Sequence, residues 1–420
     1  MALIKRAKEN PLKISLITGA SLGNDLDGLM AEAGLLARRM PFQADAALRK
    51  AINAGEVMFI DQHLSHTVEQ MRNHQIKKPD LAIIEAVAIT EDGHIVPTTS
   101  VGNSANLALF ADKVIIELNM AHNPNLEGLH DIYIPGERPN RQPIPLLKVD
   151  DRIGTGAIPI DPAKIAAIVV TDQPDSYSTV TPPDDETQAI ANHLIHFFKK
   201  EVDAGRLSNS LGPLQAGIGN IANAVMCGLI DSPFENLVMY SEVLQDSTFD
   251  LIDAGKMVFA SGCSITLSER CNSRVFGNLE KYKDKLVLRP QEISNHPELV
   301  RRIGIIGINT ALEFDIYGNK SIAKGGNISS VVPMVAHVDH TEHDVSILVT
   351  EQGLADLRGL APRERARAII DNCVHPSYRD ALNAYFDAAC KKGGQTPHLL
   401  HEAMDWHTNL EERGHMLKGK

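Results

Sequence analysis

Several things are missing or scarce in this sequence, and each absence narrows what the protein can be. No run approaches the roughly 20 uninterrupted apolar residues of a membrane helix, so no membrane span is expected. The first ten residues, Met1 to Asn10, have no apolar h-region and carry an early Glu9, so they do not read as a secretory signal. The five cysteines (Cys227, Cys263, Cys271, Cys373 and Cys390) are odd in number, scattered and without a CxxC pair. They read as reduced thiols, and the expectation is a cytoplasmic protein. Positive charge is in deficit, with 41 Lys and Arg against 53 Asp and Glu for a net charge of −12. A basic surface is what neutralises phosphates, so no nucleic-acid partner is expected and any phosphate-bearing ligand needs a local pocket.

What is present is ordinary globular material. The chain has 420 residues, 43% hydrophobic and 22% charged, enough for two or three domains at roughly 150 residues each. Short β-branched runs alternate with helical stretches. Ile14 to Thr18 runs into Gly19-Ala20-Ser21, a strand ending in a turn. Leu81 to Ile89, Val114 to Leu118 and Ile165 to Val170 are nearly continuous apolar strands, the pattern of parallel sheets buried on both faces. Asp45 to Ala54 and Ser104 to Ala111 read as helices between them. Ser176 to Glu186 reads as a linker and a capped helix start, with the helix running from about Thr187 to Val202. A second series of strands follows at Leu237 to Tyr240, Val258 to Ala260, Leu286 to Leu288, Ile303 to Ile308 and Ser346 to Val349, and from Pro362 the chain is helical. The expected fold is therefore α/β: two open α/β lobes with largely parallel sheets, residues 1–182 and 183–420, the second carrying a helical C-terminus.

Five places stand out for chemistry. In Tyr240-Ser241-Glu242-Val243 an apolar strand delivers a Glu at its carboxyl end, where ligands sit in open α/β sheets; Glu242 could be a base or a nucleophile, or simply cap the next helix. In Gly217-Ile218-Gly219-Asn220 two glycines precede an apolar helix and let backbone approach a ligand, although a tight packing turn explains them as well. The third glycine of a dinucleotide fingerprint is missing, with Asn223 near its place. Asn295, in Ser294-Asn295-His296-Pro297, could stabilise an oxyanion with its amide, yet Asn before Pro is also a strong helix-cap signal. His337, His340 and His343 with interleaved acids invite a metal reading, but a spacing of three drifts around a helix instead of converging. Glu351 again ends a strand and is followed by Gly353, which equally suits a plain turn.

Taken in order, these segments resemble the acetyl-CoA hydrolase/transferase family, the class I CoA-transferases that include succinyl-CoA:acetate and propionyl-CoA:succinate enzymes. The resemblance is carried by Ser15 to Ser21, Ala88 to Gly93, Val96 to Ser104, Tyr240 to Val243, Val335 to His340 and Val349 to Gly359, and runs from about residue 13 to the C-terminus. It implies that Glu242 is a catalytic nucleophile, that Asn295 contacts the thioester oxygen and that Glu351 is a second active-site carboxylate. It also implies that Gly217, Ile218, Gly219 and Asn220 lie beside the CoA site. The implied activity is CoA transfer between a short-chain acyl-CoA and a small carboxylate through a glutamyl-CoA thioester, by a homodimer with no metal and no cofactor beyond CoA as substrate. Thioester hydrolysis is the alternative within the family, and a non-catalytic CoA-binding remnant is the alternative outside catalysis. Two departures bear on this. The family has a Gly-rich segment ahead of the equivalent of Ile14, and another between strings like Tyr317-Gly318-Asn319 and Ser321-Ile322-Ala323-Lys324-Gly325-Gly326. Without them the pocket is expected to be open on two sides.

Overall fold

A computed structural model describes the chain except Met1, Pro11, Asn24, Val180, Thr181, Asn319 and residues 322–327 and 418–420. It divides into two compact units. The first comprises Met1–Val180, Asn209–Gly217 and Phe234–Gly307; the second comprises Thr181–Ser208, Ile218–Pro233 and Ile308–Lys420.

The first unit holds three main sheets. Strands β1 (Ile14–Ile17), β2 (Leu36–Met40) and β3 (Met58–Phe59) form a parallel sheet in that order. Its core is Leu35, Leu36, Leu48 and Met30, with helix Ala46–Asn53 capped by Asp45, whose carboxylate accepts from Leu48 N. Strands β4 (Leu81–Ile89), β5 (Ile95–Pro97), β6 (Lys113–Asn119) and β7 (Ile165–Thr171) are ordered β5-β4-β6-β7, parallel except for the β4–β5 hairpin. The third sheet contains β8 (Leu214–Ala216), β9 (Leu237–Tyr240), β11 (Met257–Gly262), β13 (Leu286–Leu288) and β14 (Ile306–Ile308), ordered β13-β11-β9-β8-β14. A short parallel pair, β10 (Val243–Leu244) with β12 (Ser264–Ile265), follows the ends of β9 and β11. The strand expected from Ile303 starts only at Ile306, because Ile303 ends a helix closed by Gly304 at φ 75°.

Two expectations change here. Residues 209–217 and 234–307, which the sequence reading assigns to the second lobe, pack within the first unit. The ties are long-range: Ser100 bridges Ser264, Ile265 N donates to Thr99 O at 2.9 Å, and Leu288 pairs with His130. The strands read as buried on both faces are also more open than that: in β7, Ile168, Val169 and Val170 are exposed on both faces, and β4 is open on one. In β4, Ala82, Ile84 and Ala86 are buried while Leu81 and Ile83 are 48% and 65% exposed. Apolar residues on both faces conceal that alternation in the sequence.

The second unit contains helices Asp185–Asp203 and Asn220–Gly228, a small sheet of β15 (Glu313–Asp315), β16 (Lys320–Ser321) and β17 (Val331–Val332), and the antiparallel hairpin β18 (Ile347–Thr350) and β19 (Gly353–Asp356). Helices Pro362–Cys373, Pro376–Lys392 and Asp405–Arg413 complete it over a core that includes Leu348, Ile369, Ile370, Leu382, Phe386 and Trp406. Helix Pro362–Cys373 begins at the residue where the sequence turns helical, with Pro at its first turn. Among the described residues no helix is long and apolar enough to cross a membrane.

Candidate active site

Glu242 sits just past the carboxyl end of β9, between that strand and β10. The backbone there is held tightly: Ser241 N donates to Ser261 O at 2.9 Å, and Cys263 N donates to Glu242 O at 2.7 Å. Gly262 permits this approach, since a Cβ there would stand 3.1 Å from Glu242 O and 2.9 Å from Leu244 Cγ. The Glu242 carboxylate does not cap the following helix, Asp246–Asp253, whose N-cap position is Gln245. It turns to two amides instead. Gln291 Nε2 donates to Oε1 at 3.0 Å and Asn295 Nδ2 donates to Oε2 at 3.3 Å.

Both amides come from one short segment behind β13. Helix Gln291–Ser294 is pinned to β9 by Tyr240, whose buried hydroxyl donates to Ile293 O at 2.6 Å. The following helix, Pro297–Ile303, is capped by His296, which accepts from Glu298 N at 3.3 Å. Asn295, which the Asn-before-Pro pattern equally suited to a cap, is therefore left to face Glu242. Gln291 N donates to Gly102 O at 2.8 Å, and a Cβ at Gly19 would lie 3.4 Å from Gln291 Oε1 and 3.2 Å from Gly102 Cα. The turns after β1 and β5 thus close on the amide pair.

Electrostatically, Glu242 is a carboxylate that pairs with no Lys or Arg among the described residues. Burial pushes its carboxyl above the ordinary value of 4.5, opposed by the hydrogen bonds from Asn295 and Gln291. The neighbouring Cys263 thiol is fully buried and pushed up by burial, with the Glu242 charge adding to the shift. The other ends of the two amides, Gln291 Oε1 and Asn295 Oδ1, are buried with no hydrogen-bond partner among the described residues. Buried polar atoms of this kind cost stability and are characteristic of functional sites. The arrangement gives a partly desolvated carboxylate, oriented by neutral donors and chemically able to act as nucleophile or base.

The other sequence-derived candidates distribute as follows. Gly217 belongs to the same unit, and its carbonyl accepts from Gln245 Nε2 at 3.1 Å; Ser241 Oγ donates to Ala216 O at 3.1 Å. Ile218, Gly219 and Asn220 belong to the second unit. There Ile218 is 69% exposed and Gly219, at φ 123°, opens helix Asn220–Gly228 in a conformation that favours glycine. Glu351 also belongs to the second unit, in the turn of the β18–β19 hairpin, where it accepts from Gln352 Nε2 at 3.1 Å. Among the described residues, the acids that His340 and His343 approach are their chain neighbours Asp339 and Glu342, at 3.6 and 3.5 Å. Gln291 escaped the reading of the sequence. The signal was available, because it follows the carboxyl end of an apolar parallel strand just as Glu242 does.

The family model for the acetyl-CoA hydrolase/transferase N-terminal domain matches residues 1–170, and that for the C-terminal domain matches residues 319–386. A succinyl-CoA:acetate CoA-transferase of Clostridium kluyveri is 48% identical over 450 residues, covering 99% of this chain and 84% of that protein. The chain belongs to the acetyl-CoA hydrolase/transferase family. Members of both named activities are near it, since an acetyl-CoA hydrolase of Schizosaccharomyces pombe is 43% identical over 466 residues, covering 99% of this chain and 89% of that protein. It is an enzyme of this CoA-transferase/acetyl-CoA hydrolase family. The fold agrees: a 4-hydroxybutyrate CoA-transferase structure from Porphyromonas gingivalis superposes with a TM-score of 0.63 at 20% identity, covering 92% of this chain and 96% of that one. The alignment to the Clostridium enzyme is longer than the 420 residues of this chain. That relative therefore carries at least 30 residues (450 − 420) within the aligned span that this family member lacks. The point where the sequence suggests such a difference, Asn319 to Gly326, lies largely outside the described residues.

Proposed function

We propose that this enzyme moves CoA between a short-chain acyl-CoA, acetyl-, propionyl- or succinyl-CoA, and a small carboxylate, with Glu242 as the covalent carrier. The observation that carries the proposal is the Glu242 carboxylate held by two neutral amides, Gln291 at 3.0 Å and Asn295 at 3.3 Å, in a site where burial raises its proton affinity. Neutral donors orient a nucleophile without the charge neutralisation that an Arg or Lys would bring. Glu242 attacks the thioester carbonyl, the C–S bond breaks and an acyl-glutamyl anhydride forms. The CoA thiolate then attacks the glutamyl carbonyl and expels the acyl group as a carboxylate, leaving glutamyl-CoA. An incoming carboxylate reverses both steps and departs as the new acyl-CoA. The anhydride keeps the acyl group activated, which an ester would not. Asn295 Nδ2 is the donor for the thioester oxygen as negative charge develops on it. Glu351 is assigned the second carboxylate, and the turn from Gly217 to Asn220 the CoA contact. The working form is a cytoplasmic homodimer, testable by light scattering on the purified enzyme.

Hydrolysis is the second reading, favoured by the named activity of the Schizosaccharomyces relative and by the residues missing from the aligned span. Water reaching the anhydride or the glutamyl-CoA would release free CoA. Intact-protein mass spectrometry after adding acetyl-CoA or succinyl-CoA separates the two. Transfer requires a CoA adduct that is absent in Glu242→Gln and discharges onto added acetate or succinate. Steady CoA release without added carboxylate, with no adduct that discharges onto acetate or succinate, would replace transfer with hydrolysis.

A further inference from the structure

A second cluster lies at the carboxyl ends of β4, β6 and β7. Glu85 in β4 pairs in register with Glu117 in β6, so their side chains share a face. His122 follows the end of β6, and Asp175 follows the end of β7. The His122 side chain is 7% exposed, and its Nε2 faces two carboxylates, Glu85 Oε1 at 3.1 Å and Asp175 Oδ1 at 3.8 Å. The remaining oxygens of those acids are held from consecutive positions of one segment. Thr98 Oγ1 donates to Glu85 Oε2 and Thr99 Oγ1 donates to Asp175 Oδ2, both at 2.7 Å. Asn119 Nδ2 steadies Glu85 further, donating to Oε1 at 2.7 Å. Each carboxylate therefore has one oxygen fixed by a hydroxyl and the other aimed at the same ring nitrogen.

This geometry suits a cation better than a proton. A single N–H on Nε2 can serve one carboxylate well, not two. Glu117 adds a third acid, which accepts from Thr171 Oγ1 at 3.0 Å. Among the described residues no Lys or Arg pairs with Glu85, Glu117 or Asp175, so two carboxylates face one imidazole with a third acid close by. We propose that Glu85 Oε1, His122 Nε2 and Asp175 Oδ1 bind one divalent transition-metal ion of the zinc or manganese class. These three atoms lie within 4.8 Å of one another. Metal bonds of about 2.0–2.2 Å in a tetrahedral arrangement place donors roughly 3.4 Å apart, between the two observed separations from Nε2. Thr98, Thr99 and Asn119 then orient the ligands, the usual task of groups behind a metal's own donors. Asp175 is 41% exposed, so a fourth position opens to solvent for water.

The ion would brace the segment beside the reacting carboxylate. Thr99 O accepts from Ile265 N, Val101 N donates to Cys263 O, both at 2.9 Å, and Cys263 N donates to Glu242 O. The proposal stands on its own geometry and does not depend on the transfer reaction.

The test is calorimetric titration of the chelator-stripped, full-length enzyme with Zn2+ and Mn2+, and an optical titration with Co2+. The expected result is one ion per chain and a cobalt spectrum without a thiolate charge-transfer band. His122→Gln keeps a donor for Glu85 but removes the imidazole, and weakens binding by more than about 100-fold; Thr99→Val weakens it about tenfold. Unchanged circular dichroism shows that each variant is folded. Because Cys227 and Cys390 are only half-buried thiols, the double Cys→Ser variant must retain the site. The absence of a stoichiometric site, equal affinity in His122→Gln, or loss of binding in the Cys→Ser variant would each overturn the assignment.

Discussion

Gln291 Nε2 donates to Glu242 Oε1 at 3.0 Å, while the oxygen of the same amide is buried with no partner among the described residues. The side chain is thus committed to stabilising the ionised form of Glu242. A nucleophilic carboxylate must be ionised to react, so kcat/KM falls as pH drops through the Glu242 pKa, which burial holds above 4.5. Gln291→Leu removes one donor to the charged form and drives that pKa further up. A hydrogen bond to a charged acceptor is worth about 1.5–3 kcal/mol, so the acid limb should move to higher pH by about one unit or more. A limb that stays in place in a folded variant would remove Gln291 from this role.

Asn295 contacts the other carboxylate oxygen and is the side chain free to donate to a substrate carbonyl, its cap position being taken by His296. Asn295→Ala should lower kcat by about 10²–10³-fold, the usual cost of one oxyanion donor. CoA affinity, measured by calorimetry, should change little. A fall in affinity with kcat intact would assign Asn295 to ground-state binding instead.

Glu242 also has a predictable effect on stability. Its raised folded-state pKa means that the folded enzyme binds this proton more tightly than the unfolded chain does. The ionised carboxylate therefore destabilises the fold above the folded pKa, and that penalty is gone below the unfolded pKa, about pH 4. Glu242→Gln should raise the thermal midpoint at neutral pH while abolishing turnover, and the gain should shrink as the pH is lowered toward 4. Differential scanning calorimetry across that range checks the sign. A lower midpoint at neutral pH would mean that the carboxylate is stabilising.

These three residues also show how far the sequence could be read. Glu242 was visible as a candidate because an apolar strand, Leu237 to Tyr240, delivers it at its carboxyl end, where ligands bind in open α/β sheets. The helix from Pro362 and the strands from Leu81 and Val114 were visible from local pattern alone, the last within one residue of its start at Lys113. Asn295 was ambiguous, since capping and catalysis use the same residue type; His296 supplies the cap, and Asn295 turns to Glu242 instead. Gln291 was overlooked although it follows a strand in the same way. The membership of residues 234–307 in the first unit was not legible, because it rests on pairings such as Ser100 with Ser264 that no local pattern encodes.

The segment that presents Gln291 and Asn295 is anchored by a fully buried Arg289, whose backbone N donates to Gly262 O at 2.8 Å. Its guanidinium pairs with Asp131 and donates to Ser261 Oγ at 2.9 Å and Val149 O at 3.0 Å. Asp131 in turn accepts from Ile153 N at 2.9 Å and Gly154 N at 2.6 Å. Asp131→Ala leaves a buried cation without its counter-charge and two backbone donors without an acceptor. Breaking a buried pair from one side costs about 3–5 kcal/mol, so the urea midpoint should fall substantially. Arg289→Met combined with Asp131→Ala removes the stranded charge and should lose less than the sum of the two single changes. Strict additivity in that cycle would mean that the two side chains do not support each other. The double variant should still show a reduced kcat, because the Arg289 hydrogen bonds that position the strand end two residues before Gln291 are gone.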